Sequence, residues 1–345
     1  MPIVAPTSTT PEYALVVFDT AGREVAEADG TALSETLAAR IAAGGVADVV
    51  LMCHGWLDDL AGAETVYRGW LETAHPLAWP GASAPLVVGV HWPSSPDPAD
   101  EPPDVPAALQ PHLADGSLPT ALAGAGAEVR DFLSFWSMRQ RAVALGAADA
   151  GLARLLTRLG AAAPDIRLHL VGHSLGCVAL SGALAGAGRG GLHAATLLLV
   201  QAAESSWAFS DRAPFLTGGS GAFRAVIDDG LVDGALVATT SSHDAALGVL
   251  YRLGMEFVLQ RNYAAVPAAL QGTPARSAAL GAEGFGFDPP VSTAGALPPL
   301  AVGAEHFALG AGRQYSIDCS AVISGHSDVD HVELARLFFA AVAAA

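Results

Sequence analysis

Seven short apolar runs punctuate the chain at 14–18, 49–53, 86–91, 166–171, 196–201, 235–240 and 315–323. Between them lie longer amphipathic stretches rich in Ala and Leu, at 33–43, 63–72, 128–145, 148–159, 177–187, 245–259 and 332–344. This alternation constrains the fold more than any other feature, because it is the pattern of strands interleaved with helices in an α/β protein. Several runs are apolar on successive residues, as in Val49-Val50-Leu51-Met52, which predicts parallel strands covered on both faces. Two stretches break the rhythm. Eight prolines between positions 93 and 119 forbid regular helix or central strand over most of 94–119 and predict a long surface excursion. The segment 261–312 is rich in Gly, Pro and Ala, with Phe285 and Phe287 set among turn formers, and loops of this length are usually functional lids or mobile segments. At 345 residues the length alone suggests about two domains. Neither excursion is flanked by a second self-sufficient αβ pattern, so a single domain over 1–345 with two insertions is expected.

The acidic residues number 34 and the basic ones 17, all of them Arg, giving a net charge of −17. A nucleic-acid or anionic-membrane surface needs clustered positive charge, so both partner classes are disfavoured. The mean hydropathy of +0.40 calls for a check on membrane spans. The most apolar charge-free run, Leu168 to Gly188, holds His169, His173, Ser174 and five glycines, a poor match to a continuous apolar span, and no integral membrane association is expected. The first dozen residues lack the basic and apolar regions of a secretory signal, which leaves the cytoplasm as the default location. Cys53, Cys177 and Cys319 are odd in number and widely spaced; they suggest neither a disulfide framework nor a thiolate zinc site.

The chemistry is concentrated in Gly172-His173-Ser174-Leu175-Gly176, which follows the strand IRLHLV and opens the helix CVALSGALAGA. A strand-to-helix turn this sharp strains the central residue, and the flanking glycines let strand and helix cross closely. Ser174 then stands clear at the positive end of a helix. A serine needs a base to become a nucleophile. The chain order serine, acid, histidine places the acid at Asp244, after the run ALVATT, and the base at His326, in Ser324-Gly325-His326-Ser327-Asp328 after the last strand. Asp244 could instead be a helix N-cap for the stretch that follows, and the two roles can coexist. Glu204 is a competing acid, Asp211 a weaker one, and His331 a competing base. His326, Asp328, Asp330 and His331 could also be read as metal ligands, but their spacing fits no standard zinc motif, and neither metal nor organic cofactor is expected. Two backbone N–H groups should face the oxyanion of an acyl-transfer step. Leu175 supplies one, and Trp56, after His54-Gly55 at the end of an early strand, the other.

These segments together, CHGW at 53–56, HWPS at 91–94, LHLVGHSLGC at 168–177, SSHDAAL at 241–247 and SGHSDV at 324–329, resemble an α/β-hydrolase fold serine hydrolase of the esterase/lipase type. The resemblance spans nearly the whole chain. It implies a mostly parallel eight-stranded sheet flanked by helices, a Ser174–His326–Asp244 triad, an acyl-enzyme intermediate and no cofactor. The stretch FLSFWSMRQRA at 132–142 is similar to poorly characterised hydrolases of this fold. The insertions match no pattern of the family, and they would form the substrate pocket. His54, Leu57, Trp92, Phe285 and Phe287 are candidate substrate contacts, suited to a small uncharged or acyl-bearing ester. A thioesterase or acyltransferase on the same triad, and a non-catalytic binding module, are the alternative readings. Oligomeric state is not encoded in any feature of the sequence.

Overall fold

The computed structural model describes residues 3–95, 110–124, 129–147, 149, 151–212, 219–259, 277–286, 292–296 and 308–345. The described strands are β1 (Ile3–Val4), β2 (Tyr13–Val17), β3 (Asp48–Cys53), β4 (Leu86–His91), β5 (Arg167–His173), β6 (Thr196–Val200), β7 (Ala235–Thr240), β8 (Ser292–Ala296) and β9 (Arg313–Asp318). They form one sheet in the order β1-β2-β4-β3-β5-β6-β7-β9-β8. Only β1 runs antiparallel to its neighbour. Eight of the strands form the expected, mostly parallel sheet, and short β8 extends its far edge beside β9 with an irregular register.

The apolar runs became strands because both faces of the sheet are covered. On one side pack α1 (Leu33–Ala42), α5 (Val129–Leu145), α6 (Gly151–Gly160), α7 (Leu175–Gly188) and the short α8 (Arg224–Asp228). Their buried side chains share a core with Val49, Leu51, Leu170, Leu197 and Leu199. On the other lie α2 (Leu60–Ala74) and α11 (Val332–Ala343), over Val50, Met52, Val171, Leu198 and Val237. Residues of odd and even number in β3 thus feed different cores, the period-two alternation of a strand. Helix α7 is buried almost all round: ten of its residues are buried and it carries no charged side chain, as befits a helix packed between the sheet and α5, α6 and α8.

One reading of the sequence needs correction, and another gains detail. Short helices occupy the far end of the proline-rich stretch: α3 spans Gln110–Ala114 and α4 spans Ser117–Gly124. Pro111 and Pro119 fall in the first turns, where a missing N–H costs no intrahelical bond. The stretch 245–259, expected to be one helix, opens with a π-helical turn, Ala246–Tyr251, before α9 (Arg252–Leu259). The second insertion contributes α10 (Leu280–Glu283) and β8. No described helix is long and apolar enough to cross a membrane. All three cysteines are free and buried.

The sheet prepares one place for chemistry. After β3 the chain crosses to the α2 face, and after β5 it crosses to the α7 face, so the two adjacent strands send their connections in opposite directions. A crevice opens outside the carboxyl ends of strands at such a switch point.

Candidate active site

Ser174 sits at the end of β5 with φ 54° and ψ −119°, a strained conformation for a residue with a side chain. The turn holds it there through backbone bonds: Ser174 N donates to Val200 O at 3.1 Å, and Ser174 O accepts from Cys177 N and Ala203 N, each at 3.2 Å. The glycines are demanded by sterics. A Cβ on Gly176 would lie 2.2 Å from Cys53 O and 2.5 Å from His54 O, and one on Gly172 would lie 2.9 Å from the backbone of Cys177.

The three residues separated by 70 and 82 positions in the chain meet here. His326 Nε2 lies 2.7 Å from Ser174 Oγ, and His326 Nδ1 lies 2.7 Å from Asp244 Oδ2. Asp244 is also the first-turn acceptor for the helix that follows it, since its Oδ1 takes Leu247 N at 3.0 Å. Both sequence roles therefore coexist in one carboxylate. Burial pushes its pKa up, but the bonds from His326, Leu247 and Gln201 outweigh burial and hold it below the ordinary carboxylate value. It is an anion at neutral pH, able to fix the Nδ1–H tautomer of His326 and leave Nε2 free to accept the Ser174 proton.

The competing residues lie elsewhere. His331 precedes α11 and bonds Asp328 Oδ1 at 2.9 Å. Asp211 is exposed. Glu204 is buried and forms no hydrogen bond to His326; burial pushes its pKa up to about 8 against the charge of Arg139 and a bond from Ser181. Among the described residues no group of three or more His, Cys, Asp and Glu side chains is arranged to hold a metal ion.

The loop after β3 packs against the serine, and a Cβ on Gly55 would come within 2.9 Å of Ser174 Cβ. His54 builds this loop from beneath. Its Nε2 accepts from Trp92 N at 3.2 Å, so Nδ1 carries the proton and donates to Gly55 O at 3.0 Å. Trp92 Nε1 returns a bond to His54 O at 3.1 Å, and its ring stacks on the imidazole. His54 and Trp92 are 0% and 1% exposed, so they act as scaffold for the loop rather than as a surface for substrate. Leu57, at φ 71° and 57% exposed, has its N–H taken by Ser94 O at 3.2 Å. Neither Trp56 N nor Leu175 N donates a hydrogen bond among the described residues. Phe285 belongs to the core and packs edge-on against Phe209; Phe287 lies outside the described residues.

Three site residues escaped the sequence reading. Gln201, at φ 44° just after β6, donates from Nε2 to Asp244 Oδ2 at 2.9 Å and accepts from Thr239 Oγ1 at 3.0 Å, which sets the acid from behind. Ser94 ties down the loop after β3: its Oγ accepts from Asp58 N at 3.0 Å and donates to Asp58 O at 2.9 Å. His173, inside the Gly-x-Ser-x-Gly motif, donates from Nε2 to the backbone carbonyl of His326 at 2.9 Å. Burial lowers its pKa to about 4, so the ring is neutral and the proton on Nε2 is dictated by its acceptor. Polar residues directly after strands, and the position preceding the serine, were the available signals.

No family model, no curated protein and no solved structure matches this chain, so the geometry stands by itself.

Proposed function

We propose that the protein is a serine hydrolase of the α/β-hydrolase type that cleaves carboxylic esters. The observation that carries this reading is the continuous relay Ser174–His326–Asp244, with both contacts at 2.7 Å, at the carboxyl ends of β5, β7 and β9. Ser174 Oγ attacks the ester carbonyl while His326 Nε2 takes its proton. The resulting imidazolium is stabilised by Asp244, which keeps its charge throughout. The tetrahedral oxyanion is met by Leu175 N and Trp56 N, neither of which is engaged in another hydrogen bond among the described residues. Collapse of the intermediate expels the alcohol, which takes the proton back from His326, and leaves an acyl-serine. Water, deprotonated by the same Nε2, then attacks the acyl carbon, releases the carboxylic acid and restores Ser174. The net charge of −17 favours uncharged esters over anionic lipid interfaces.

A fluorophosphonate, which captures an activated serine whatever its substrate, tests this directly. Intact mass should show one adduct on the wild type and none on Ser174→Ala. A well-folded wild type that gains no mass sinks the proposal.

His173 acts here as a positioning residue, since it touches the backbone of the loop that presents His326 and not the reacting atoms. His173→Phe keeps a ring but loses the N–H. It should lower the rate of fluorophosphonate capture about tenfold, whereas His173→Gln, which retains a donor, should recover most of the loss. A purely space-filling role predicts the opposite ranking.

A further inference from the structure

The face of the sheet opposite α7 encloses a cavity of about 190 Å³. Its floor is made by side chains of β3, β5 and β6, among them Met52, Val171 and Leu198. Helix α2 builds one wall, through Trp70 and Ala74, and α11 the other, through Ala335 and Phe338. Protein interiors hold few voids larger than a water molecule, and an apolar void left empty costs stability. Besides Trp79, the polar side chains on the wall are those of Thr73, His75 and His331. His331 Nε2 is spent on Asp328, and His75 is exposed. An ordered water needs about two to four hydrogen-bond partners, which a floor and walls of carbon do not offer.

Trp79 props the cavity open at one end. Its Nε1 donates to Asp48 Oδ2 at 3.2 Å, and Asp48, which is 0% exposed, is fixed in turn by Arg167 Nε at 2.7 Å and His169 Nε2 at 3.2 Å. The indole is thereby tied to the first residue of β3 and stands edge-on against Phe339, with ring centroids 5.2 Å apart. This anchor denies it the inward rotation that would fill the space. At the other end stand Val329 and His331, on the loop that carries His326.

The shape of the space follows from α11. The positions that face it, 331, 334, 335, 338 and 339, lie on one side of the helix and extend over eight residue steps, about 12 Å along its axis. A dry apolar cavity of roughly 150 Å³ accepts one benzene ring; here a comparable volume is drawn out along two helical turns. We propose that it binds an unbranched, uncharged alkyl chain, which enters at the end where Pro11 and His75 are exposed. The net charge of −17 disfavours a carboxylate head, so the ligand class is that of a linear alcohol or alkane rather than a fatty acid. The site lies across the sheet from α7 and does not rest on the reaction proposed at Ser174.

1-Octanol is the probe, titrated by calorimetry below its solubility limit, with Tm as a second readout. The wild type should give saturable heat and a raised Tm, whereas 1-adamantanol, an alcohol of globular shape, should give neither. Ala74→Leu and Ala335→Leu fill the space from opposite walls, and each should raise the half-saturating concentration of octanol about tenfold or more. Far-UV circular dichroism reports that the variants are folded. The two substitutions sit on different helices, so either one that folds, or the comparison of the two alcohols on the wild type, decides the matter. No saturable heat with the wild type overturns the proposal. So does octanol binding to a folded variant as tightly as to the wild type, which would place the chain elsewhere, and so does equal binding of 1-adamantanol, which would deny the elongated slot.

Discussion

Replacing His326 with Ala is expected to slow hydrolysis of p-nitrophenyl acetate by roughly four to six orders of magnitude, while His331→Ala leaves the rate nearly unchanged. The two imidazoles are five residues apart in one loop, yet only His326 reaches Ser174 Oγ, at 2.7 Å, and His331 is spent on Asp328. A serine without its base is a poor nucleophile at neutral pH, so the whole of the general-base contribution disappears with one ring. Initial rates of the two variants beside the wild type decide the matter. A greater loss at His331 than at His326 would overturn the assignment.

The second large effect concerns stability. Glu204 is fully enclosed, and burial lifts its pKa from an ordinary 4.5 to about 8. Below about pH 4.5 the carboxyl is protonated in both folded and unfolded chains and nothing is lost. As pH rises through this window the unfolded chain releases the proton and the folded one retains it, so folding stability falls. The cost is complete above about pH 8. Glu204→Gln removes the titration while keeping the shape, and it should be more stable than the wild type by on the order of 3–4 kcal/mol at pH 8, with little difference at pH 4. Urea unfolding at the two pH values measures this. Equal gains at both would show that the benefit has nothing to do with ionisation.

Much of the fold was legible because each central strand is buried on both faces, which writes an unbroken apolar run into the sequence. Every one of the seven apolar runs contains or overlaps a strand of the sheet. The edge strands left no such mark: β1 has two residues and β8 reads Ser-Thr-Ala-Gly-Ala. The short helices α3 and α4 were hidden by prolines that a first turn tolerates. At the site, Ser174 was legible because its strained backbone forces glycines on both sides, and Asp244 and His326 because they directly follow strands. Gln201 was not, since its role depends on β6 and β7 lying side by side, a fact of topology rather than of local pattern. Of the candidate substrate contacts, His54, Trp92 and Phe285 are buried in the scaffold, for the converse reason. Aromatic and imidazole rings beside a reactive loop, such as Trp92 and His54, are as useful for holding that loop as for touching a ligand, and only burial separates the two uses.

The strand order carries a consequence for how the protein is made. Ser174, with β5 and α7, emerges midway through synthesis, and its strained turn needs only β3 and β6 as neighbours, both of which are translated before residue 201. The loop bearing His326 must wait for β9, which pairs with β7 near the end of the described chain. On the function proposed above, a nascent polypeptide would therefore display a formed but unactivated serine over some 150 residues of elongation and acquire its reactivity only when the loop bearing His326 docks. Contacts this remote in sequence are also slow to form. The sheet would thus be mostly folded before the proposed triad can assemble, and arrested chains ending ahead of β9 should be inert toward fluorophosphonate even where their cores are native.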